Sequence, residues 1–272
     1  MKYFNIRIKP NLASGGVDKL IDSNKTNNPM QAGDLVFDWT EFYIPKVWRK
    51  IPKGASKLEN VSMYMNGIDG GVCAAGDFHL IFARDIDGVA PVSAGTINAA
   101  GMTTATNLAS NFLGGVVLEG TAAGVGKVKG PSHGSLYGLT RGGGTNNGGG
   151  PIQANLLVDG EETLARPGFQ RVYVCGVADG AFGFGTGVTA DGAVTSDTAT
   201  SFDVTGTNAM KIFQVGDTVH LHDVNDALGT VKAVTSTSIE LNAAIANGTD
   251  IANADEIINA NPIKILLGFS QA

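Results

Sequence analysis

Charge is what this chain has least of. Asp, Glu, Lys and Arg make up 16% of its 272 residues, against about a quarter in an ordinary globular domain, and aromatic residues stop at 7%. Cysteine is nearly missing. Cys73 and Cys175 stand in neither a C-x-x-C nor a zinc spacing, which excludes a disulfide scaffold and a cysteine-held metal. Cys175 lies within the alternating run Arg171–Val177 and reads as a free buried thiol. No stretch approaches the roughly 20 apolar residues of a membrane-spanning helix. The opening Met1–Pro10 alternates like a strand and lacks the apolar core of a secretory signal. The expectation is a protein made in the cytoplasm with no membrane partner. With a net charge of −6 and a pI of about 5.1, no nucleic acid partner is expected either, because nothing attracts the chain to a polyanion.

Glycine is abundant instead, at 38 residues, about twice average usage. Each glycine inside a helix costs up to ~1 kcal/mol, so long helices are not expected and the class is all-β. A hydrophobic content of 43% is enough to exclude disorder. Strands are predicted over 1–10, Leu35–Ile44, Lys57–Gly67, Asp77–Asp85, Gln153–Asp159 and Phe169–Val177, with Ala181–Gly185 continuing the sheet. Thr103–Leu113 suits one short helix. Leu113–Pro151 is the least regular part and contains the flexible, glycine-rich Arg141–Gly150.

From Asp191 the composition changes to alternating Thr, Ser and Asp, leading into Phe213–Asp223, Leu228–Val234 and Ser238–Leu241. These runs form a β-meander broken at Gly, Asn or Asp. After Asp255 the chain resumes with Pro262–Phe269, a buried-looking strand that the meander does not need. The organisation predicted is a β-sandwich or jelly-roll-like main domain over 1–190, completed by a C-terminal strand in 259–272, with 191–258 inserted as a small β-barrel-like module.

Motifs with chemistry were tested in turn. Gly120–Val128 fails as a phosphate-binding loop, with Thr121 where glycine is required and Val128 in place of the metal-binding hydroxyl. Gly185–Ala190 has the letters of a dinucleotide fingerprint, but Asp191–Thr195 cannot open the helix that would hold the pyrophosphate. His220 and His222 project to one face of a strand, read as an exposed face, and two ligands fall short of a metal site. Asp159, Glu161 and Glu162 cluster in a turn where solvation explains them, and there is no Gly-x-Ser-x-Gly elbow. No catalytic, cofactor or metal residue is assigned, and an enzyme is not expected. One basic segment holds Lys46, Trp48, Arg49, Lys50, Lys53 and Lys57. Trp48, Arg49, Lys50 and Lys53 are the candidate contact for an acidic partner surface, set against a solvated loop beside a hairpin.

Thr40–Pro45, Pro52–Leu58, Asp77–Arg84 and Phe213–Val219, the last continuing through Leu228–Val231 to Ser238–Ile245, resemble structural proteins of tailed bacteriophages, particularly phages of marine bacteria. The resemblance implies a virion component. Among virion roles, a capsid decoration (cement) protein on the outer surface of the head fits best, with the major capsid protein as partner and a homotrimer as the assembly expected by analogy. A major capsid protein itself would show a long helix, and no such periodicity is present. A tail tube, adaptor or fibre-associated subunit, or a carbohydrate-binding host-recognition module, is the alternative. Residues 1–33 and the Trp48 region are the candidate capsid contacts.

Overall fold

The computed structural model describes residues 2–12, 30–46, 56–66, 78–99, 111–119, 127–130, 133–140, 156–180, 187–206, 208–221, 227–245 and 249–271. The strands of its first part are β1 (Lys2–Ile8), β2 (Leu35–Pro45), β3 (Ser56–Asn66), β4 (Phe78–Arg84), β5 (Phe112–Glu119), β6 (Lys127–Gly130), β7 (His133–Thr140), β8 (Leu157–Val158), β9 (Glu161–Thr163) and β10 (Arg166–Ala178). Then come β11 (Val188–Ala190), β12 (Ser201–Thr205), a 3-10 turn at Ala209–Lys211, β13 (Thr218–Leu221), β14 (Ala227–Val234), β15 (Ser238–Leu241), β16 (Glu256–Asn259) and β17 (Ile263–Gln271). The all-β class is the one expected. Among the described residues no helix is long and apolar enough to cross a membrane.

An eleven-stranded sheet carries the main path β1-β17-β3-β7-β5-β4-β10-β2, with β6 added to β7, β8 to β3 and β9 to β10. Alternation builds its inner face: Ile263, Ile265, Leu267 and Phe269 of β17 are buried, while Leu266 between them is exposed. The sheet rolls up. Phe4 of β1 stacks on Phe269 with ring centroids 5.3 Å apart, and Phe42 of β2 lies 6.3 Å from the same Phe269. Side chains from the two ends of the path thus meet in one core, although β1 and β2 are not hydrogen-bonded to each other. The layering is one continuous path rolled around a single core.

Six strands, β11-β12-β15-β14-β13-β16, close into a small barrel, leaving no free sheet edge. Phe202, Val204, Phe213, Val219, Ile239, Leu241 and Ile257 fill it. Gly216, at φ +82, sits in the turn that Asp217 closes by donating its backbone N–H to the Gln214 carbonyl, a conformation that favours glycine. β17 then leaves the barrel and enters the large sheet between β1 and β3.

Three strands occupy the stretch expected to be least regular. β5 and β7 hold central places in the path, and β6 pairs with β7. Their sequences, FLGGVVLE and HGSLYGLT, carry glycines that contribute nothing to an alternating apolar pattern. Gly114 of β5 has φ +146, and a Cβ there would lie 2.4 Å from the Leu156 side chain, so a close packing contact explains the residue. The expected helix over 103–113, the Ala181–Gly185 strand and the 141–150 loop lie almost wholly outside the described residues.

Candidate functional site

A polar network fixes the barrel against one end of the rolled sheet. Asp217 is fully buried. Its carboxylate accepts hydrogen bonds from the Gln214 backbone N–H at 3.0 Å, Asn259 Nδ2 at 2.9 Å, Lys264 Nζ at 3.1 Å and Lys9 Nζ at 3.0 Å. Lys9 comes from the end of β1, Lys264 from β17 and Asn259 from β16, so one carboxylate ties sheet to barrel. Asn261 continues the tie, accepting from the Thr218 N–H at 2.7 Å and donating to the Pro10 carbonyl at 2.8 Å. Burial pushes the Lys264 ammonium below the ordinary lysine value, with the Asp217 charge opposing the shift. The sequence held a signal for this network: Lys264 is the lone charge inside the apolar run Pro262–Leu267, and a lysine is rarely buried unpaired.

The opposite end of the rolled sheet gathers exposed apolar side chains. Register places Tyr3 beside Ser270, Leu157 beside Lys57, Phe112 beside Ala83 and Phe169 beside Pro45, all at the strand ends farthest from the barrel. Tyr3 is 72% exposed, Leu157 57%, Phe112 53% and Phe169 41%, and Leu164, in the turn between β9 and β10, is fully exposed. Such side chains scattered singly need no explanation; here five of them stand at the same end of the strands, while Met210 and Val215 are exposed on the barrel. The pole is also held firmly. Gln271 Nε2 donates to the Pro45 carbonyl at 2.6 Å and to Ser56 Oγ at 2.9 Å, joining the ends of β17, β2 and β3. The Arg166 guanidinium lies 4.2 Å from the Tyr43 ring centroid, a cation–π contact.

The acidic cluster Asp159, Glu161 and Glu162 lies at this pole and is committed to local bonds. Asp159 pairs with Arg84 at 3.2 Å. Glu161 accepts from the backbone N–H groups of Asp87 and Gly88 at 2.9 and 2.7 Å. Glu162 accepts from the Gly168 N–H at 2.7 Å and pairs with Lys46; these hydrogen bonds, first of all that of Lys46, hold its carboxyl below the usual range. Behind them Arg171 pairs at 2.7 Å with Asp85, which is 1% exposed, and that hydrogen bond pushes the guanidinium up.

The sequence-predicted contact residues Trp48, Arg49, Lys50 and Lys53 lie outside the described residues. Their described flanks, Lys46 and Ser56, both stand at the apolar pole. Of the candidate segment 1–33, Tyr3 stands at that pole, whereas Lys9 is at the barrel end. His222 is outside the described residues. His220 corrects an expectation: it is 6% exposed. Alternation holds along β13: Val219 and Leu221 face the barrel core, while His220 pairs with Ile258, which belongs to the large core, so this outer face of the barrel is covered as well. His79 is half-exposed, 3.4 Å from Asp179. Gly187–Ala190 of the dinucleotide-like letters enters strand β11 rather than a helix. Trp39 is partly buried against the large core and donates Nε1–H to the Val92 carbonyl at 2.9 Å.

No family model and no curated protein matches the chain.

Proposed function

We propose that the chain is a structural virion protein that decorates and stabilises a phage head, docking its apolar pole on the major capsid protein and directing its small barrel outward. The observation that carries this reading is the grouping of Tyr3, Phe112, Leu157, Leu164 and Phe169 at the pole farthest from the barrel. A contact of this kind buries apolar area at ~25 cal/mol per Å², and its net affinity is reduced by the loss of free motion on binding. Many copies acting together then add up to shell stability through avidity. A homotrimer is the assembly proposed, by analogy with such decoration proteins.

The experiment uses heads lacking the protein and measures both binding and heat resistance of the particles. The intact protein binds saturably and raises the temperature at which heads release DNA. A Leu164→Asp, Phe169→Asp double variant binds at least about tenfold more weakly, about 1.4 kcal/mol or more, with unchanged melting, because both side chains are exposed. Equal binding by the variant, or no binding by the intact protein, contradicts the reading. The alternative as a tail tube or adaptor subunit draws on a separate feature, the outer edges of β1 and β2, which pair with no further strand among the described residues and offer strand pairing between copies.

A further inference from the structure

A second concave site lies on the outer face of the sheet, on the barrel's side. It is a cavity of about 310 Å³, within the range of small-ligand pockets. Arg7 of β1, Ser62 and Tyr64 of β3, Lys264 and Leu266 of β17, and Gln214 from the barrel line it. Register explains the convergence: Arg7 pairs with Leu266, which pairs with Ser62, while Lys264 pairs with Tyr64 one step nearer the barrel. These positions share one face of three adjacent strands.

The charges in and beside the cavity do not balance. Lys264 and Lys9 share the single carboxylate of Asp217, and Arg7 makes no ion pair among the described residues. Arg7 and Lys9 both act electrostatically on Lys264 in the direction that disfavours its charge. An anion on Arg7 would offset this repulsion, and a guanidinium offers a carboxylate two parallel N–H donors. The rest of the lining is not that of a bare anion site. Ser62 and Tyr64 bring hydroxyls, Gln214 an amide that both donates and accepts, and Leu266, 36% exposed, an apolar surface. Together these match a ring that carries one carboxylate, several hydroxyls and an apolar face.

We propose that this cavity binds an acidic sugar of the hexuronate class, its carboxylate held by the exposed Arg7 over the buried Lys264–Asp217 pair and its hydroxyls by Ser62, Tyr64 and Gln214. The site stands apart from the apolar pole, so its failure would leave the docking proposal intact, and the reverse also holds.

The test is titration of the full chain with D-glucuronate and D-galacturonate, followed by NMR chemical shifts and calorimetry, with glucose, acetate and N-acetylglutamate as comparison ligands. The expected result is saturable binding of at least one uronate, with shifts concentrated at Arg7, Tyr64 and Lys264. Glucose, acetate and N-acetylglutamate should each bind at least about tenfold more weakly. Arg7→Ala, a change at an exposed side chain, should reduce uronate affinity at least about tenfold while leaving thermal unfolding unchanged. Should that variant prove unstable, Ser62→Ala serves in its place with a smaller loss of about threefold. No binding of either uronate up to about 50 mM, on the order of the weakest affinity worth naming, overturns the proposal. So does binding that neither variant weakens, or acetate or N-acetylglutamate binding as tightly as the uronates.

Discussion

Tyr173 illustrates how far a single side chain's environment departs from water. It is 5% exposed on β10, and burial pushes its phenol up to about 12, with the Arg171 guanidinium pulling the other way. The folded value is raised above the unfolded one, so the folded state keeps the proton longer. Stability is therefore unaffected below about pH 10, where an unfolded tyrosine titrates, and falls as pH rises from there towards about 12. Near-UV absorbance of the folded protein should show phenols ionising late, Tyr173 foremost and with it Tyr43, which its hydrogen bond with Glu41 also pushes up. Tyr173 should contribute a decline in unfolding free energy of up to about 1.4 kcal/mol per pH unit above pH 10, a contribution that Tyr173→Phe removes from the slope. An equal slope in that variant would contradict the assignment. Its strand neighbour Gly176 shows the opposite kind of constraint, since a Cβ there would lie 2.3 Å from the Phe37 ring.

At the level of elements, the junction between barrel and sheet rests on Asp217. Asp217→Asn leaves the Lys264 ammonium buried without its counter-charge, which should cost about 3–5 kcal/mol in urea unfolding. Adding Lys264→Met should recover at least about half of that, because the cost comes from the unpaired charge more than from a lost attraction. A change under about 1 kcal/mol for Asp217→Asn would refute this account.

The elements legible in the sequence were those rich in Val, Ile, Leu and Phe. β4 nearly alternates in burial, while β2, β10 and β17 are runs buried at successive positions, and apolar runs bounded by turn residues read as strands. β5 and β7 escaped because glycine leaves no mark in such a pattern. The Asp217 network escaped for another reason: Lys9 and Asp217 are 208 positions apart, and only the closed topology brings them together. The apolar pole was hidden in the same way. Leu157 and Phe169 read as ordinary strand residues, Phe112 as part of a short helix and Leu164 as part of a connection, until register sets the strand ends side by side.

For the whole molecule, these features give a body with two distinct ends. One end carries exposed apolar side chains beside the locally bonded acids Asp159, Glu161 and Glu162, with Gln271 fastening β17, β2 and β3 together. The other carries a closed barrel held by a buried carboxylate, with a cationic cavity beside it. This difference between the ends is what the proposed decoration role draws on, with one end covered and the other in water. Cryo-electron microscopy of particles carrying the chain is the most direct measurement of the central claim. The account predicts density on the outer face of the head at three-fold or quasi-three-fold positions, with the apolar pole against the shell and the small barrel pointing away. Density confined to the tail axis or fibres, or a barrel turned towards the shell, would contradict it.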